Sequence, residues 1–554
     1  MRFQLDHDWQ GNMSAPRAHI GEGVKTRLLL ALCALWILLG LIGHAPWKPL
    51  ETNGISIVSN MLNGGSIIAP LPHSITTLDS PPLYYWSAAA SAKLFSPLLN
   101  THDGARLVNA AWLSILLLMV GMTGRELWSQ GVGRHATFIM IGTIGLILNA
   151  HSLNNEVANL TSLATGFYAL ALSKRRPWRA SGLFGAALSV GFLSYGISPI
   201  LILLSTAVVL TICFSNWRTR AFIKLLVAAI AFSCLPICAW LIAFHHVNPP
   251  LFDSWLQANL NGLRFNNHLY FTRILTWYAW PALPLAVLGL WHFSKQLFIK
   301  PKFQLILVFF SCSILILGFS AAQRDISALP LLLPLVALAA GSVEHLKRGL
   351  AAALNWFGVL LFSLIGALIW LGWIALITDT PAKIKERMQF LSGIGDFDFG
   401  WLAFITAVLM TLIWLLVCLR AKQTNKSTVT NWAVGMTFSW VLLMTLWLPL
   451  IDSAKSYASV FKNLKQALPE QVNCINSLEI GQHQRILLNY YTNINLLPFE
   501  DTQSLTCDFY LIQDTKGAGI MQPGPEWEKI WAGRRNADRK EGFRLFKRVD
   551  NHLK

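Results

Sequence analysis

Residues 350–377 read LAAALNWFGVLLFSLIGALIWLGWIALI, a run of 28 residues without Asp, Glu, Lys or Arg. A helix needs about 20 consecutive apolar residues to cross a bilayer, so this stretch alone predicts a membrane-spanning helix. Apolar runs of similar character recur along the chain. We predict thirteen spans, at residues 27–43, 106–124, 134–149, 157–173, 181–196, 198–214, 224–245, 274–292, 303–320, 327–343, 350–377, 400–419 and 432–451. The pattern indicates a polytopic α-helical membrane protein.

The composition excludes an ordinary soluble protein. Of 554 residues, 54% are hydrophobic and 13% are charged, whereas soluble domains carry about 25% charged residues. The formal net charge of +17 would suggest a nucleic-acid partner in a soluble protein. In a membrane protein the same excess arises when Lys and Arg accumulate in cytoplasmic loops. The positions of the basic residues therefore decide between the two interpretations.

The basic residues fall mainly on one side of the predicted spans. When successive loops are assigned to alternate sides, one side holds 21 Lys and Arg residues, the other holds 9, and 14 follow residue 451. The basic side is expected to be cytoplasmic, so no nucleic-acid partner is needed. This places residues 1–26 in the cytoplasm, a transmembrane domain at 27–451 and the tail, 452–554, outside. Because residues 1–26 lack a cleavable signal pattern, we interpret the first span as a signal anchor.

Acidic residues show the opposite distribution, with ten in the outer loops and five in the cytoplasmic segments. Since acidic residues contribute little to orientation, we interpret this excess as chemistry on the outer face, with plain solvation as the alternative. The predicted spans carry no charged residue in their middle, and the chain has no P-loop. Both features argue against an ion-coupled transporter or an ATP-driven pump.

Two long segments lie outside the predicted spans. The first outer loop, 44–105, contains two apolar stretches, 54–63 and 82–97, which we predict to be helices lying in the membrane interface. The tail, 452–554, has 14 basic and 12 acidic residues, a composition typical of soluble domains. We predict that this tail forms a small periplasmic α/β domain.

The pattern of the tail predicts a helix at 455–468 and strands at 485–491 and 507–513. Of eight cysteines, only Cys474 and Cys507 lie in this segment. On the oxidising side of the membrane two such cysteines are expected to form a disulfide bond, with two buried free thiols as the alternative. No Cys and His spacing indicates a zinc site.

The first outer loop also resembles a known enzyme family. It reads PWKPLETNGISIVSNMLNGGSIIAPLPHSITTLDSPPLYYWSAAASAKLF at residues 46–95. This order is similar to that of membrane glycosyltransferases with a polyprenyl-phosphate sugar donor, above all the bacterial aminoarabinose (lipid A) transferases. These belong to the wider GT-C group, which includes the protein O-mannosyltransferases. Leu50-Glu51 matches the family's acidic pair, and Met61-Leu62 matches the Met-Leu end of its helix. Gly65-Ser66-Ile67 matches its Gly-Asp-Trp-like turn, and residues 79–86 match its Glu-Lys-Pro-Pro-Leu-x-Tyr-Trp segment.

Looser matches extend the resemblance over nearly the whole chain. GFLSYGISPI (191–200) is similar to the family's Gly-Phe-Leu-Thr-Lys-Gly-Pro stretch, and QRDISALPLLLPLVALAA (323–340) to its Arg-Tyr-x-Leu-Pro segment. NNEVANL (154–160) lies where the family has an Asp. The resemblance implies a GT-C-like fold with about thirteen spans and a small outer domain. It further implies catalytic roles for Glu51 and Asp79 and substrate binding by Glu156, Arg324, Tyr84 and Tyr195.

Three charged positions of the family's site differ in this chain. Leu50 stands at the catalytic carboxylate, Ser80 at the Lys of the Glu-Lys-Pro segment, and Tyr195 at the Lys of the later stretch. Either Glu51 and Asp79 supply the acid in a changed geometry, or the protein no longer catalyses the transfer. If the acceptor is a phosphate, which is already ionised near neutral pH, no general base is required.

The resemblance implies a glycosyltransferase of the bacterial inner membrane. It would move a sugar from a polyprenyl-phosphate donor to a lipid or envelope glycan acceptor on the periplasmic face. Chemically, Glu51 is suited to act as a base, Arg324 to hold the donor phosphate, and the stretch 82–97 to guide the lipid. A divalent cation is left open as a cofactor.

Two other functions remain as alternatives, a transporter or lipid flippase and a catalytically inactive relative. A transporter is expected to have a site at the membrane midplane, repeat symmetry and broken helices. An enzyme is expected to gather Glu51, Asp79, Glu156 and Arg324 around one cavity that opens to the outer leaflet. An inactive relative is expected to disperse these charges or to fill the cavity.

Overall fold

The computed structural model describes residues 22–549 except 74, 262–268, 320–323, 396, 421–424, 470–471, 473, 495, 499–506, 516–522, 536 and 539–540. Helices account for most of these residues. In the first half of the chain they are α1 (Glu22–Leu38), α2 (Thr52–Leu62), α3 (Leu83–Phe95), α4 (Thr101–Arg106), α5 (Val108–Leu127), α6 (Val132–Ile141), α7 (Ile144–Asn149), α8 (Glu156–Leu172), α9 (Pro177–Tyr195), α10 (Ile197–Cys213), α11 (Arg220–Val247) and α12 (Pro249–Asn261).

The second half continues with helices and ends in a small sheet. The helices are α13 (Leu269–Tyr278), α14 (Ala282–His292), α15 (Pro301–Gly318), α16 (Leu332–Ser342), α17 (Arg348–Thr378), α18 (Ala382–Ser392), α19 (Trp401–Arg420), α20 (Asn425–Leu446), α21 (Leu448–Lys455), α22 (Ala458–Ala467) and α23 (Gln482–Thr492). The strands are β1 (Ile475–Leu478), β2 (Leu496–Pro498), β3 (Phe509–Thr515), β4 (Trp527–Gly533) and β5 (Glu541–Arg548). A 3-10 helix, Asp325–Leu331, leads into α16.

The structure confirms a polytopic helical protein but not the predicted number of spans. Within the described residues, seven helices are long and apolar enough to cross a membrane, and an eighth is counted if α13 and α14 form one broken span with a bend of 103°. The seven are Thr101–Leu127, Arg220–Val247, Pro301–Gly318, Asp325–His345, Arg348–Thr378, Trp401–Leu419 and Asn425–Leu446.

Several of the remaining predicted spans form helices that fall short of this length. The spans predicted at 157–173 and 198–214 correspond to α8 and α10, which have 17 residues each. The span predicted at 134–149 is divided into α6 and α7, because Thr143 has an extended backbone with ψ 127°. Hydropathy reports how apolar a window is, and it does not show where the helical hydrogen bonds stop.

The helical bundle packs around α16. All residues of α16 are buried, and it contacts α5, α6, α14 and α15. In contrast, only 22% of the apolar window of Arg220–Val247 and 17% of that of Trp401–Leu419 are buried within the protein. These two helices, α11 and α19, therefore present most of their apolar surface outward, as expected of helices that face lipid.

The tail contains a five-stranded sheet in the order β2-β1-β3-β5-β4. Strand β1 is parallel to both β2 and β3, while β5 is antiparallel to β3 and β4. The prediction of a strand at 485–491 is wrong, because these residues lie in α23. Ile486, Leu487 and Leu488 are buried there. The apolar and aromatic residues that resemble a strand in the sequence therefore belong to a helix with one buried face.

Other local predictions for the tail agree with the structure. The predicted helix at 455–468 contains α22, and the predicted strand at 507–513 overlaps β3. Cys474 and Cys507 form a disulfide bond, with 5.5 Å between their Cα atoms. The bond joins the segment before β1 to the segment before β3, the neighbouring strand.

The tail docks on the first outer loop through polar contacts. The Lys48 ammonium lies 3.0 Å from a Glu541 carboxylate oxygen, and Thr52 Oγ1 lies 2.7 Å from His483 Nδ1. Asp452, at the start of the tail, accepts hydrogen bonds from the backbone N–H of residue 45 and the indole N–H of residue 47. These contacts hold the start of α2 against α23.

Candidate functional site

The Glu51 carboxylate lies immediately before α2 and is 1% exposed. It accepts hydrogen bonds from Arg106 Nε at 2.7 Å and Nη2 at 3.0 Å. It also accepts from the backbone N–H groups of Trp47 and Leu153, each at 2.9 Å. Burial raises the pKa of Glu51, but the charge and hydrogen bonds of Arg106, together with His44 and the Trp47 N–H, hold that pKa below its ordinary value. The carboxylate is charged and its hydrogen-bonding capacity is filled by the protein.

The hydrogen-bonding capacity of Arg106, at the end of α4, is filled in the same way. It is 1% exposed and also donates to the carbonyl oxygens of His44 and Ala45 and to Asp103 Oδ1 at 2.9 Å. All the N–H donors of a guanidinium are then used. The pair fastens the first outer loop to α4, and this geometry favours a positioning role for Glu51. The catalytic role predicted for Glu51 stays a prediction.

Asp79 precedes the Ser-Pro-Pro turn that leads into α3, and its side chain is exposed. Its Oδ2 accepts a hydrogen bond of 3.3 Å from Asn53 Nδ2 on α2. Partial desolvation raises the pKa of Asp79 above its ordinary value, although the Arg324 charge and Asn53 lower it. Unlike Glu51, this residue is exposed, and its carboxylate has a single hydrogen bond to the described protein.

Glu156 is the first residue of α8 and is 6% exposed. Its carboxylate accepts hydrogen bonds from the Tyr195 hydroxyl at 2.8 Å and from Asn159 Nδ2 at 3.2 Å. Burial raises the pKa of Glu156 to about 7, although both hydrogen bonds and the Arg324 charge lower it. A group with this pKa exchanges its proton readily near neutral pH.

Tyr195 explains why this acid is not fully ionised. The residue ends α9, at the position where the resembled family has a Lys. An ammonium at this point would favour the charged carboxylate, whereas the neutral phenol of Tyr195 leaves burial as the largest influence on Glu156.

Arg324 stands before the 3-10 helix and is exposed. Within the described part of the chain, no carboxylate lies within ion-pairing distance of its guanidinium. Its charge nevertheless acts on Asp79, Glu156, Tyr195 and His483. The neighbouring residue differs, since Asp325 accepts a hydrogen bond of 2.7 Å from the Tyr270 hydroxyl. Arg324 is therefore a cation at the centre of several polar groups, with its own donors available.

The predicted site residues thus separate into two groups. Asp79, Glu156 and Tyr195 all lie within electrostatic range of Arg324, whereas Glu51 belongs to the buried ion pair with Arg106. Tyr84 lies in the hydrophobic core and is fully buried, and its hydroxyl donates a hydrogen bond of 2.8 Å to Asn109. Its predicted contact with substrate stays a prediction, which this burial does not favour.

Three residues of the site were missed by the sequence reasoning. Asn53 holds Asp79, and Tyr85 lies within electrostatic range of both Asp79 and Glu156. His483 reaches the site from α23, and burial lowers its pKa, with Lys48 and Arg324 acting in the same direction. No sequence signal marks His483, because it lies 431 residues from its partner Thr52.

An aromatic wall borders the loop that carries Asp79. Trp240 of α11 and Trp255 of α12 pack with Phe192 of α9 and with apolar residues of the loop, including Leu78. The indole N–H of Trp240 donates a hydrogen bond of 2.9 Å to the carbonyl oxygen of residue 68. The site is therefore polar on one side and apolar on the side of the outward-facing helix α11.

No metal centre is assembled in the described ranges, where no three His, Cys, Asp or Glu residues group together. The only two carboxylates that we place at the site are Asp79 and Glu156. The divalent cation left open by the sequence thus gains no ligand set from the residues described.

The chain is similar to known proteins, although no family model matches it. The undecaprenyl phosphate-alpha-4-amino-4-deoxy-L-arabinose arabinosyl transferase of Pseudomonas savastanoi pv. phaseolicola is 26% identical over 446 residues, which cover 76% of each chain. The protein of the same name from Pseudomonas aeruginosa is 27% identical over 354 residues, covering 60% of this chain and 62% of that protein.

A solved structure shares the fold. The crystal structure of ArnT from Cupriavidus metallidurans bound to undecaprenyl phosphate matches with a TM-score of 0.67 and 13% identity, covering 95% of this chain and 98% of that one. The resemblance stated from the sequence is thereby confirmed, and the structural likeness establishes the fold.

Proposed function

We propose that this chain is a glycosyltransferase that moves a sugar from a polyprenyl-phosphate donor to a lipid or envelope glycan acceptor at the outer face of the bacterial inner membrane. One observation carries the proposal. Asp79, Glu156 and Arg324 come from three distant segments, and the fold brings both carboxylates within electrostatic range of the Arg324 guanidinium. Three of the four charged residues expected at an enzyme's site are therefore close together, while the fourth, Glu51, lies in the buried pair with Arg106.

Arg324 is assigned to the donor phosphate. A guanidinium binds phosphate oxygens through two parallel hydrogen bonds, and this one is exposed. The relatives' names specify an undecaprenyl-phosphate sugar, which supports a donor of this class. The aromatic wall is itself buried, so its assigned role is to hold the loop that carries Asp79 in place.

Asp79 is assigned to the reacting end of the acceptor. It is the exposed carboxylate of the site, so it is placed to accept a proton from an acceptor hydroxyl. Glu156, with a pKa of about 7, is assigned to exchanging protons with bound substrate through Tyr195. Glu51 is assigned to holding the loop in place through Arg106.

The same proposal includes an arrangement in the membrane. Residues 1–26 lie in the cytoplasm, residues 27–451 form the transmembrane domain with about thirteen spans, and residues 452–554 form a periplasmic α/β domain. The charge distribution supports this orientation. The disulfide bond in the tail supports an oxidising location.

The test compares the glycolipids and envelope glycans of deletion and complemented strains by mass spectrometry. We expect a sugar-modified species to disappear and a polyprenyl-phosphate sugar to accumulate in the deletion strain. Complementation with Arg324→Gln or Asp79→Asn is expected to restore less than about a tenth of the product, because loss of a charged hydrogen bond costs roughly 1.5–3 kcal/mol.

Arg387→Gln is the matched control, since Arg387 is exposed on a predicted outer segment and contacts Phe390 instead of the site. We expect this variant to restore the product fully. An unchanged lipid and glycan profile in the deletion strain, without accumulated donor, would contradict the proposal and favour a flippase or an inactive relative.

A further inference from the structure

A charged cavity lies at the opposite ends of the helices that carry the site. Glu156 begins α8 and Tyr195 ends α9, whereas this cavity lies between the end of α8, the start of α9 and the end of α5. Since α8 has 17 residues and a helix rises about 1.5 Å per residue, the two places are separated by roughly 25 Å. The cavity has a volume of about 360 Å³ and plays no part in the proposed transfer.

Arginines dominate the rim of this cavity. Arg125, Arg175, Arg176 and Arg179 line it together with one acid, Glu126, which leaves a net charge of +3. All four arginines are exposed. A rim of this charge attracts an anion with several oxygens.

Most of the positive charge on the rim is not neutralised by the protein. Glu126 is occupied by Arg175, whose Nε and Nη2 lie 2.8 and 2.6 Å from its two oxygens. The guanidinium groups of Arg125, Arg176 and Arg179 make no hydrogen bond or ion pair with any other described residue. Three forked donors therefore face a single cavity.

Apart from the charged residues and Tyr168, the cavity has an apolar floor, which is formed by Met122, Leu172 and Leu183. On α5 the same face continues through Leu118 and Ile115, which are 58% and 42% exposed, because residues three and four apart share one side of a helix. An apolar stripe thus leads from the charged rim along the outward face of a membrane-spanning helix.

We propose that this cavity binds the phosphate headgroup of an acidic phospholipid. The phosphate lies among Arg125, Arg176 and Arg179, and an acyl chain lies along the stripe of Met122 and Leu118. Basic pockets between transmembrane helices bind such headgroups, and a free anion would not use the apolar floor. The predicted topology places this lipid in the cytoplasmic leaflet, and the proposal does not depend on the proposed glycosyltransferase function.

Arg-to-Lys substitutions distinguish a lipid-binding site from arginines that only set the membrane topology. The triple variant Arg125→Lys, Arg176→Lys, Arg179→Lys keeps every positive charge, so insertion and general surface attraction are retained. It loses the forked geometry that binds phosphate bidentately, which Lys does not reproduce. The control is Arg220→Lys with Arg348→Lys, two exposed arginines on the same predicted side that do not line the cavity.

The measurement is native mass spectrometry of the purified full chain, titrated with cardiolipin, phosphatidylglycerol or phosphatidylcholine. We expect the acidic lipids to bind at least about tenfold more tightly than phosphatidylcholine, with the triple variant losing about tenfold of that affinity, which corresponds to about 1.4 kcal/mol. The control variant is expected to bind as the unaltered chain does. A competition arm adds soluble glycerol phosphate.

Three outcomes would overturn the proposal. If the triple variant binds acidic lipids as tightly as the unaltered chain does, the arginines act only as topology signals. Equal loss in the control variant would indicate general surface charge. Displacement of the lipid by millimolar glycerol phosphate would indicate a site for a soluble phosphate compound.

Discussion

At the scale of single residues, Tyr195 shows how one neutral side chain changes the chemistry of its neighbour. Its hydroxyl donates to Glu156 at 2.8 Å, where a Lys would supply a full positive charge. Burial then raises the pKa of Glu156 to about 7. The raised pKa depends on the identity of residue 195 and on its contact with Glu156. The sequence gives the identity of the residue but not the contact.

Glu156 is expected to make the stability of the protein depend on pH. Between its ordinary pKa and about 7, the folded state binds a proton that the unfolded state has lost, so stability falls as pH rises through this range. In Glu156→Gln the side chain stays neutral, so the fall from about pH 5 to about pH 8 is expected to shrink by on the order of 3 kcal/mol.

Thermal melts of the purified protein at the two pH values measure this effect. Tyr195→Lys is expected to act in the same direction, because an ammonium favours the ionised carboxylate. Glu386→Gln, which alters an exposed glutamate, is the control and is expected to leave the pH profile unchanged. Identical profiles for Glu156→Gln and the unaltered chain would show that Glu156 keeps an ordinary pKa.

The buried pair of Glu51 and Arg106 leads to a second expectation. Glu51→Gln leaves the Arg106 guanidinium buried without its main counter-charge, which costs about 3–5 kcal/mol. The measurement is the Tm in detergent, with Glu344→Gln as the control. Glu344 pairs with Lys426 at an exposed position, where an ion pair contributes less than about 1 kcal/mol.

The transfer rate of Glu51→Gln distinguishes a positioning role of Glu51 from a catalytic role. If Glu51→Gln keeps its Tm but loses several orders of magnitude in transfer rate, Glu51 is the base that activates an acceptor hydroxyl. If stability and activity fall together, Glu51 holds the loop, as its four hydrogen bonds indicate.

At the scale of elements, amphipathic patterns predict most helices correctly where one face is buried. Residues 54–63 and 82–97 were predicted as helices, and α2 and α3 occupy them. The stretch 485–491 was misread as a strand, since apolar and aromatic residues in a short run suit either element. Tertiary packing favours the helix, because α23 lies against α2 and α22.

The disulfide bond between Cys474 and Cys507 is expected to stabilise this part of the chain. It closes a loop with a sequence separation of 33, for which chain entropy predicts about 4 kcal/mol. Replacing both cysteines by Ala is expected to lower the Tm and to make residues 452–549 sensitive to protease. Cys213→Ala, which removes an exposed free thiol, is the control, and equal Tm values for the two variants would contradict the expectation.

At the scale of the whole molecule, charge distribution predicts orientation. Reporter fusions test this directly. Alkaline phosphatase, which is active only outside the cytoplasm, is expected to be active when fused after residue 451 and inactive when fused after Lys347. The reverse pattern would invert the proposed topology, and activity at both points would show that the number of spans between them is even.

The sequence by itself determined that this is a polytopic helical membrane protein with a tail of soluble-like composition. These properties depend on local composition, because the transfer of an apolar run into lipid involves that run alone. Its family resemblance also followed from local motifs, and named Asp79, Glu156 and Arg324 before their positions were known.

Only the tertiary structure decided which charges are available for chemistry. Glu51 and Arg106, 55 residues apart, neutralise each other in the interior, while Arg324 stays exposed among groups from three other segments and His483 arrives from the tail. A carboxylate's role depends on its solvent and its partners. Both are supplied by residues distant in the chain, and so no local pattern in the sequence reports them.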